Sequence, residues 1–475
     1  MKTALQGVYL ITDHGGNLVE RVAAAIDSVC AVQLRSKSHS PEDRLMIGRQ
    51  LRQLCLEKGK LFIVNDDVEL ALALDADGVH LGQEDGEPLR ARGILGAGKL
   101  IGISTHTAEE ALQAASHGAD YIGFGAMFPT GSKDVQYIPG SKLLADVRKI
   151  VDLPIVAIGG IDRDNAATVI DAGADAIAVI SAVMSHKEPS VAASELKLLF
   201  NRKQRQPRGS VLTVAGSDSG GGAGIQADLK VITLLGAYGS SVITALTAQN
   251  TCGVTAIHPA PADFVASQLD AVLSDIPVDV VKTGMLFSKE IIKTVADKLL
   301  DYDKRLLVVD PVMIAKGGAR LIDEAAIDTL VNSLLPLTYL LTPNIPEARA
   351  LTGMAISSES QMLAAAEKLH AMGARNILLK GGHMDGDEAA DLLYDGTNAS
   401  WFRTPRINSS NTHGTGCSTA SAIAAFLSMG EPLPMAASKA KEFITAAIRL
   451  AQPLGKGHSP VNHIRAAELL KSHQE

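Results

Sequence analysis

Residues 411–420 read NTHGTGCSTA and run directly into an apolar segment of the C-terminal half. Apolar residues recur at helical spacing after this turn, which predicts a buried helix that begins within the glycines. The free N–H groups of such a helix start, together with the positive end of the helix dipole, attract anions. Gly414, Thr415 and Gly416 are small enough for the backbone to approach a phosphate closely. We therefore expect a phosphate site in an α/β fold.

Cys417 falls in the first turn of the same predicted helix. Because the field at a helix start favours an anion, we expect the pKa of this thiol to be lowered. A thiolate there is a candidate for the acceptor of a substrate proton. The alternative is a structural cysteine at a buried helix start, and so short a motif does not distinguish the two.

Length and composition restrict the possible class of protein. A chain of 475 residues exceeds one ordinary domain, and 46% hydrophobic with 20% charged residues is typical of globular proteins. Abundant glycine, at 43 residues, and few aromatics, at 4%, favour α/β folds. The net charge of −8 argues against nucleic acid or an anionic membrane as a partner.

The four cysteines are widely separated and form no CxxC pair. They indicate reduced thiols of a cytoplasmic protein rather than a disulfide framework or a zinc site. The N-terminal residues lack the apolar core of a signal peptide, and no apolar run reaches membrane-spanning length. The sequence therefore predicts a cytoplasmic protein, and it leaves a homodimer open.

Residues 201–209, NRKQRQPRG, are wholly polar and include four Arg or Lys residues. A polar segment that ends in proline and glycine predicts a linker, here between domains at 1–200 and 210–475. Its charge is also compatible with an RNA-binding tail, but a solvated linker is the better interpretation.

The first half alternates short β-rich runs with helical segments. Eight such runs, each followed by a helical segment, predict a (β/α)8 TIM barrel, whose chemistry lies where the strands end. The predicted strands are 8–12, 31–35, 61–65, 78–81, 101–104, 121–125, 155–158 and 176–180.

Polar residues follow most of these strands. Gln33, Arg35 and Lys37 share one face of the second strand, which places two cations and an amide at the barrel mouth. Asp66 and Asp85 follow the third and fourth strands, and such a pair suits Mg²⁺ that phosphate oxygens also hold. Salt bridges or helix caps could explain each residue alone, but the set at successive strand ends favours an active site.

The later strand ends predict a phosphate cradle. The turn at 128–133 carries two hydroxyls and a lysine, a pair of glycines follows the seventh strand, and the eighth ends at Ile180 and Ser181. Glycine backbone and hydroxyls in this part of a barrel commonly bind phosphate.

The motifs QLRSK, ND, QED, GIST, PTGSK, IGGI and VIS occur in that order over residues 1–200. Together they resemble the thiamine-phosphate synthases, which join hydroxymethylpyrimidine diphosphate to a thiazole phosphate and release pyrophosphate. Ser132 stands where that family more usually has threonine. A thiazole tautomerase shares the barrel, but the cations and the carboxylate pair argue against it.

The resemblance implies a role for each strand-end residue. Arg35, Lys37 and Lys133 would stabilise the departing pyrophosphate, and Asp66 and Asp85 would bind Mg²⁺. The pyrimidine diphosphate would contact Gln33, Arg35, Lys37, Asn65, Ser104 and Lys133, and the thiazole phosphate would contact Thr130, Gly131, Ser132, Gly160, Ile180 and Ser181.

In the second half, a strand at 211–215 enters the glycine-rich run 216–224, and a helix follows. The G-x-G-x-x-G register is imperfect and no P-loop motif occurs, so a dinucleotide site is weakly indicated and a Walker-type ATPase is disfavoured. Later strands alternate with helices and predict an open, mostly parallel, doubly wound sheet. They lie at 280–282, 306–309, 339–341 and 376–379.

The second half carries AGSDSGGGAGIQAD, TALTAQNT, KTGML, VVDPVM, TPNIPEA, LLKGGH and HGTGC. These motifs resemble the hydroxymethylpyrimidine and phosphomethylpyrimidine kinases of the ribokinase superfamily. That family uses ATP to phosphorylate the pyrimidine alcohol and then its monophosphate. A pyridoxal kinase is the alternative, because it shares the fold and the anion site, but the neighbouring synthase would consume the pyrimidine product. A domain that binds precursors without turnover is the non-enzymatic alternative.

The second resemblance also assigns residues. Cys417 would be the general base, although many ribokinase relatives have aspartate there, and His383 and His413 would be structural loop residues or phosphate neighbours. The pyrimidine would contact Asp228, Gln249 and Met285; ATP and its phosphates would contact Asp310, Asn344, Lys380, Gly414, Thr415 and Gly416; Mg²⁺ would bind Asp310 and Glu347. Both halves together predict an enzyme of thiamine biosynthesis with small-molecule substrates, ATP and Mg²⁺.

Overall fold

The computed structural model describes residues 5–36, 38–131, 137–313 and 324–472. The chain divides into two compact units, Met1–Lys203 and Gln204–Glu475. Among the helices of the described part, none has the length and hydropathy that a membrane span requires.

The first unit is a closed barrel of eight strands in sequential order, and every neighbouring pair is parallel. The predicted (β/α)8 fold is therefore confirmed. The strands are β1 Gly7–Ile11, β2 Ala31–Leu34, β3 Leu61–Asn65, β4 Gly78–Leu81, β5 Leu100–Thr105, β6 Tyr121–Gly125, β7 Ile155–Ile158 and β8 Ala176–Val179.

Helices surround the barrel, and local side chains set where they begin. Ser40, Asp67 and Thr107 each accept a hydrogen bond from a backbone N–H one turn into the helix that follows. The helices are α1 Leu18–Ala25, α2 Pro41–Glu57, α3 Val68–Ala73, α4 Pro88–Leu95, α5 Ala108–Ser116, α6 Gly140–Ile150, α7 Ala166–Asp171, α8 Ser181–Met184 and α9 Pro189–Leu198.

Strand alternation divides the buried residues of this unit into two sets. Outward-facing side chains such as Ile155 and Ala157 pack against the helices, while Val156, Tyr9 and Tyr121 face the barrel interior. The interior is therefore lined partly by phenol rings, and its upper end is polar.

The predicted linker begins later than 201. Residues Leu199–Lys203 form a 3-10 helix on the barrel, in which Asn201 is buried and Arg202 binds Asp171 at 3.0 Å. Lys203 Nζ also donates to the carbonyl of Ala174 at 2.7 Å. These contacts hold residues 201–203 to the first unit, although their composition is that of a solvated segment.

The second unit contains a nine-stranded sheet in the order β11-β10-β9-β12-β13-β14-β15-β16-β17. Strands β10, β9, β12, β13, β14 and β15 are parallel, whereas β11, β16 and β17 are antiparallel to their neighbours. The strands are β9 Ser210–Asp218, β10 Tyr238–Asn250, β11 Gly253–Pro259, β12 Val280–Thr283, β13 Leu307–Val309, β14 Leu340–Leu341, β15 Asn376–Leu379, β16 Glu388–Tyr394 and β17 Ala399–Pro405.

The four strands toward the two edges, β10, β11, β16 and β17, were missing from the sequence prediction. Each is partly exposed and carries polar residues among its apolar ones, so none shows the continuous apolar run of a central parallel strand. The predicted parallel core is confirmed, and the sheet as a whole is mixed.

Helices cover both faces of this sheet, as a doubly wound fold requires. One layer holds α10, α16, α17 and α18, and the other holds α11 to α15. The helices are α10 Gly224–Leu235, α11 Ala262–Leu273, α12 Lys289–Asp301, α13 Glu324–Thr329, α14 Ile345–Thr352, α15 Glu359–Ala371, α16 Thr415–Ser428, α17 Leu433–Arg449 and α18 His463–Ser472. Helix α16 starts within the glycine-containing stretch 411–420, and it is buried from Ser418 to its end.

Candidate active sites

A cavity of about 1200 Å³ opens at the carboxyl ends of the barrel strands. It brings together residues that the sequence places far apart, which is the arrangement predicted for a barrel active site. The predicted residues that line it are Gln33, Arg35, Asn65, Asp66, Asp85, Ser104, Thr130, Gly131, Gly160, Ile180 and Ser181. Lys37, Ser132 and Lys133 lie outside the described residues.

The two predicted metal carboxylates lie on the same side of this cavity. Asp66 and Asp85, with Asn65, also line a neighbouring cavity of about 740 Å³. Asp66 has a left-handed backbone, with φ at 62°, and its N–H donates to the carbonyl of His80 at 2.8 Å. A non-glycine residue in that conformation is typical of functional sites, where the surroundings hold it in place.

No group of three or more His, Cys, Asp or Glu side chains is placed to hold a metal ion in the described residues. A carboxylate pair alone is an incomplete ligand set for Mg²⁺, which usually keeps several waters and takes further oxygens from substrate phosphates. The barrel site therefore has the oxygen donors for a Mg²⁺ ion that arrives with a phosphorylated substrate.

The opposite side of the barrel mouth is built from glycine backbone. Gly160 has a positive φ of 65°, and a Cβ at this position would lie 2.4 Å from the carbonyl oxygen of Pro129. Only glycine lets the loops after β6 and β7 approach this closely. Asn165 Nδ2 donates to the Gly160 carbonyl at 2.9 Å and fixes the turn. Thr130 and Ser181 line the same part of the site.

The sequence analysis did not identify several polar residues of the barrel interior that line the cavity. Tyr9, His80 and Tyr121 line its floor and hydrogen-bond one another inside the barrel. Their signal in the sequence is a polar side chain within a buried strand, whereas the predicted site residues lie mainly at strand ends.

In the second unit, the ends of β13 and β15 meet below the start of α16. Lys380 Nζ donates to Asp310 Oδ1 at 2.9 Å, and both side chains are largely buried. A Cβ on Gly416 would lie 3.3 Å from Lys380 Nζ and 3.5 Å from Asp310 Oδ2. The glycine-rich turn therefore lies directly against a cation and a carboxylate, as a phosphoryl-transfer site requires.

Asn344 and Glu347 form a capping box at the start of α14. The Glu347 N–H donates to Asn344 Oδ1 at 2.9 Å, and the Asn344 N–H donates to Glu347 Oε2 at 2.8 Å. Burial raises the pKa of Glu347 to about 7, while Lys380 opposes the shift and Asp310 adds to it. Glu347 thus has a structural role, and it also lies near the predicted phosphate site.

The start of α16 is held against the glycine-rich loop that follows β9. Gly414 has a φ of 79°, and a Cβ there would lie 1.8 Å from the Gly222 carbonyl oxygen. His413 Nε2 lies 3.0 Å from Asp218 Oδ2 and 3.4 Å from Gln249 Nε2. Asp218 accepts three backbone N–H groups of the same loop. His413 therefore connects the predicted anion site to Gln249.

The expectation of a lowered pKa at Cys417 is wrong. Burial raises the pKa of this thiol to about 12, and the ammonium of Lys282 and the N–H of Gly224 only partly oppose the shift. Asp310 and Asp228 raise it further. The helix field is present, but loss of water around the sulfur is the larger effect. The thiol is protonated at neutral pH.

Asp228 lies in the interior and shows no exposed surface. One carboxylate oxygen accepts from Lys282 Nζ at 2.8 Å and from Thr213 Oγ1 at 2.6 Å, and the other accepts from Ser421 Oγ at 2.7 Å. Both oxygens are already engaged, so the structure does not present Asp228 to a pyrimidine as the sequence predicted. A buried charge needs such partners, which tie β9, β12 and α16 together.

Met285 forms part of a small apolar cluster with Ala245 and the partly buried Val312. Thr244 Oγ1 donates to the Met285 carbonyl at 2.7 Å and fixes the backbone beside the cluster. An apolar wall of this kind is suitable for a flat heterocycle.

These features define a two-domain α/β enzyme, in which a (β/α)8 barrel with a phosphate-type site precedes a ribokinase-like kinase. Comparison with known proteins gives the same division. The family described as thiamine monophosphate synthase matches residues 8–183, and the family described as phosphomethylpyrimidine kinase matches residues 218–462. The chain belongs to the bifunctional thiamine biosynthesis proteins, which combine thiamine-phosphate synthase with hydroxymethylpyrimidine/phosphomethylpyrimidine kinase.

Individual relatives support the assignment over the whole chain. The thiamine biosynthesis bifunctional protein ThiED of Geobacter sulfurreducens is 62% identical over 467 residues, which cover 98% of this chain and 95% of the relative. The hydroxymethylpyrimidine/phosphomethylpyrimidine kinase of Haemophilus influenzae is 50% identical over 258 residues, 53% of this chain and 96% of the relative.

One solved structure, an ADP complex of Bacillus subtilis pyridoxal kinase, is 37% identical with a TM-score of 0.51. The matched region covers 54% of this chain and 98% of the pyridoxal kinase chain. The resemblances stated from the sequence are therefore confirmed for both units, and kinase activity implies the use of ATP.

Proposed function

We propose that the second unit phosphorylates hydroxymethylpyrimidine and then its monophosphate with ATP, and that the first unit condenses the resulting diphosphate with thiazole phosphate. The observation that carries this proposal is the pairing of the two domains, because the product of one is the substrate of the other. The release of pyrophosphate by the synthase would make the sequence of reactions difficult to reverse.

In the barrel, Asp66 and Asp85 would hold Mg²⁺, and Arg35 would bind the diphosphate beside it. The cavity supports this assignment, since it places both carboxylates and the guanidinium on one lining. A bound Mg²⁺ would supply charge stabilisation to the departing pyrophosphate. Lys37 and Lys133 add positive charge in the proposal, and their roles rest on the sequence motifs.

The thiazole phosphate would lie at the glycine-built side of the barrel mouth. Backbone N–H groups around Gly160, together with the hydroxyls of Thr130 and Ser181, offer donors to phosphate oxygens. Gly131, Ser132 and Ile180 complete this subsite in the proposal. Gln33, Asn65 and Ser104 would then face the pyrimidine.

In the kinase, residues 414–416 would cradle the transferred phosphoryl group, and Lys380 would bind nucleotide phosphates. The contact of Gly416 with the Lys380–Asp310 pair supports this placement. Asp310 and Glu347, with the Asn344 cap beside them, would organise Mg²⁺ and ATP.

The pyrimidine of the kinase would contact Gln249 and Met285, while Asp228 would act indirectly. We assign Asp228 to positioning, because its carboxylate holds Lys282 below the site. Cys417 would be the proton acceptor from the pyrimidine alcohol. Its place between the starts of α10 and α16 supports the role, and its raised pKa requires the proton to move while the phosphoryl group is transferred, not before.

The decisive assay combines the purified chain with hydroxymethylpyrimidine, ATP, Mg²⁺ and thiazole phosphate. We expect thiamine phosphate to form, and we expect pyrimidine diphosphate to accumulate when thiazole phosphate is omitted. A parallel reaction with pyridoxal tests the second candidate, which the likeness to a solved pyridoxal kinase favours. The main proposal fails if pyridoxal alone is phosphorylated, or if diphosphate forms without condensation.

Two further properties belong to the proposal. The four cysteines, all within the described residues, are unpaired, which supports the expected cytoplasmic location, where thiols stay reduced. A homodimer also remains a prediction, and sedimentation equilibrium of the purified chain will measure the assembly directly.

A further inference from the structure

A chain of hydrogen bonds crosses the barrel interior and joins two of the proposed pyrimidine contacts. Gln33 Nε2 donates to Tyr9 Oη at 3.1 Å, and Tyr9 Oη lies 3.1 Å from Tyr121 Oη. Tyr121 Oη lies 3.1 Å from His80 Nδ1, and His80 Nε2 lies 3.0 Å from Ser104 Oγ. We refer to these five residues, all of which line the 1200 Å³ cavity, as the barrel relay.

The inner members of the relay are buried and uncharged. Tyr9 is 1% exposed, Tyr121 is 0% and His80 is 8%. Burial raises the pKa of both tyrosines. The buried imidazole of His80 has a hydroxyl group at each ring nitrogen, which suits its neutral form. At neutral pH each of these groups therefore has a fixed number of protons, and each buried polar atom requires a hydrogen-bond partner.

These proton counts determine which atom donates in every hydrogen bond. Because Tyr9 accepts from the Gln33 amide, its own proton is directed to Tyr121, whose proton is directed to His80 Nδ1. His80 then carries its proton on Nε2 and donates it to Ser104. The two ends are thereby fixed: Gln33 Oε1 remains an acceptor, and the Ser104 hydroxyl remains a donor.

The backbone accommodates this arrangement at two strand glycines. A Cβ on Gly102 would lie 2.1 Å from Cζ of Tyr121, and a Cβ on Gly123 would lie 2.9 Å from Cε1 of His80. Glycine weakens a strand, so its presence in β5 and β6 indicates that the two rings need this space.

We propose that Tyr9, Tyr121 and His80 are specificity-determining positioning residues of the synthase. Through the relay they hold Gln33 as an acceptor and Ser104 as a donor at the pyrimidine site. A 4-aminopyrimidine presents the complementary edge, an exocyclic N–H donor beside a ring nitrogen acceptor. A 4-oxopyrimidine presents a carbonyl acceptor beside a ring N–H donor and meets like groups at both positions. This inference rests on the proposed pyrimidine site.

The test compares the 4-amino and 4-oxo pyrimidinylmethyl diphosphates as synthase substrates. Tyr121→Phe removes the central hydroxyl and keeps the ring, so both ends of the relay lose their fixed direction. We expect the ratio of kcat/KM values, amino over oxo, to fall at least about tenfold, with the KM for thiazole phosphate unchanged. Tyr9→Phe should give the same result, and it replaces Tyr121→Phe in the test if that variant does not fold.

Tyr137→Phe is the matched control, because Tyr137 lines the same cavity, is 54% exposed and lies outside the relay. This variant should keep the wild-type ratio. A folded relay variant that keeps the wild-type ratio, or that loses activity equally with both substrates, overturns the inference. If the wild type makes no thiamine phosphate from the amino substrate, the proposed function itself fails.

Discussion

At the scale of single residues, environment decides what a side chain can do, and two predicted residues illustrate this in opposite ways. Asp66 lines a cavity together with a second carboxylate, Asp85, and has a left-handed backbone with φ at 62°. Asp228 is equally acidic, but its oxygens are occupied by three neighbouring donors. Asp66 therefore lies at the surface of a cavity, whereas Asp228 lies in the interior.

Asp66→Asn should reduce thiamine-phosphate formation about a hundredfold or more. An uncharged amide is a poor ligand for Mg²⁺, and without Mg²⁺ the departing pyrophosphate loses charge stabilisation. Asparagine tolerates the left-handed backbone that Asp66 adopts at φ 62°, so the fold should survive. The measurement is synthase turnover over a Mg²⁺ titration. Kinase turnover of the same preparation is the internal control and should stay near wild type. Normal synthase turnover at saturating Mg²⁺ would contradict the metal assignment.

Cys417→Ala tests the proposed general base. We expect kinase turnover to fall about a hundredfold or more while the KM for ATP changes little, since the proposed role of the thiol is to accept the proton of the alcohol. Stability is measured in parallel through the fluorescence of Trp401, the single tryptophan of the chain. A variant that folds as the wild type does and retains its turnover would make Cys417 a packing residue.

At the scale of elements, α16 is the centre of the kinase unit, and its first turns are held by neighbouring helices. Ser418 Oγ lies 2.7 Å from His463 Nε2, at the start of α18. The His463 ring also stacks on Phe443 of α17, with ring centroids 6.4 Å apart and planes 6° from parallel. These contacts bury the imidazole between α16 and α17.

Burial lowers the pKa of His463 to about 4, and the positive charge of Lys230 contributes. The unfolded chain binds this proton near pH 6.5, so below that pH the unfolded state holds more protons and stability falls. From pH 7.5 to 5.5 this residue should remove about 1.4 kcal/mol from the free energy of unfolding. Urea unfolding followed by Trp401 fluorescence measures the loss in the kinase unit.

His463→Gln is the matched variant for this effect, because an amide keeps hydrogen-bonding capacity and does not titrate. Between pH 7.5 and 5.5 its free energy of unfolding should fall by about 1.4 kcal/mol less than that of the wild type. Parallel curves for the two proteins would show that His463 does not govern the acid sensitivity.

At the scale of the whole molecule, two units with separate cores and separate sites share one chain. The cavity of the barrel is lined entirely from the first unit. The contacts that build the kinase site lie entirely within the second. Each candidate site is therefore built within a single unit.

Fragments 1–203 and 204–475, expressed separately, should each fold and keep their own reaction. The cut follows the division of the contacts and keeps the hydrogen bond from Arg208 N to the Gly236 carbonyl within the second fragment. The measurement is thiamine phosphate formation by the mixed fragments compared with the intact chain. We expect equal yields once the pyrimidine diphosphate reaches steady state.

An excess of barrel fragment with Ser181→Asp serves as a trap for released diphosphate, because the added charge opposes thiazole phosphate and leaves the proposed diphosphate contacts unchanged. It should slow the intact chain and the mixed fragments to a similar extent, because a short polar connection cannot enclose a path between two sites. A soluble but inactive fragment, or an intact chain that is insensitive to the trap, would show that the reactions depend on contacts between the units.

The sequence by itself determined both domain folds, the family and the residues at the strand ends. Strand and helix periods are local properties, and parallel strands bring their carboxyl ends to one edge, so Arg35, Asp66 and Asp85 could be grouped before the fold was known. The glycines of residues 411–420 likewise predict a phosphate site, because their conformational freedom lets the backbone approach an anion closely.

The tertiary structure alone decided what happens in the interior. Burial reversed the expected pKa shift of Cys417, and three donors from distant segments occupied Asp228. The relay through Tyr9 and Tyr121 joins strands that are 112 residues apart in the chain. Desolvation and long-range pairing depend on which segments pack together, and no local pattern of residues specifies that.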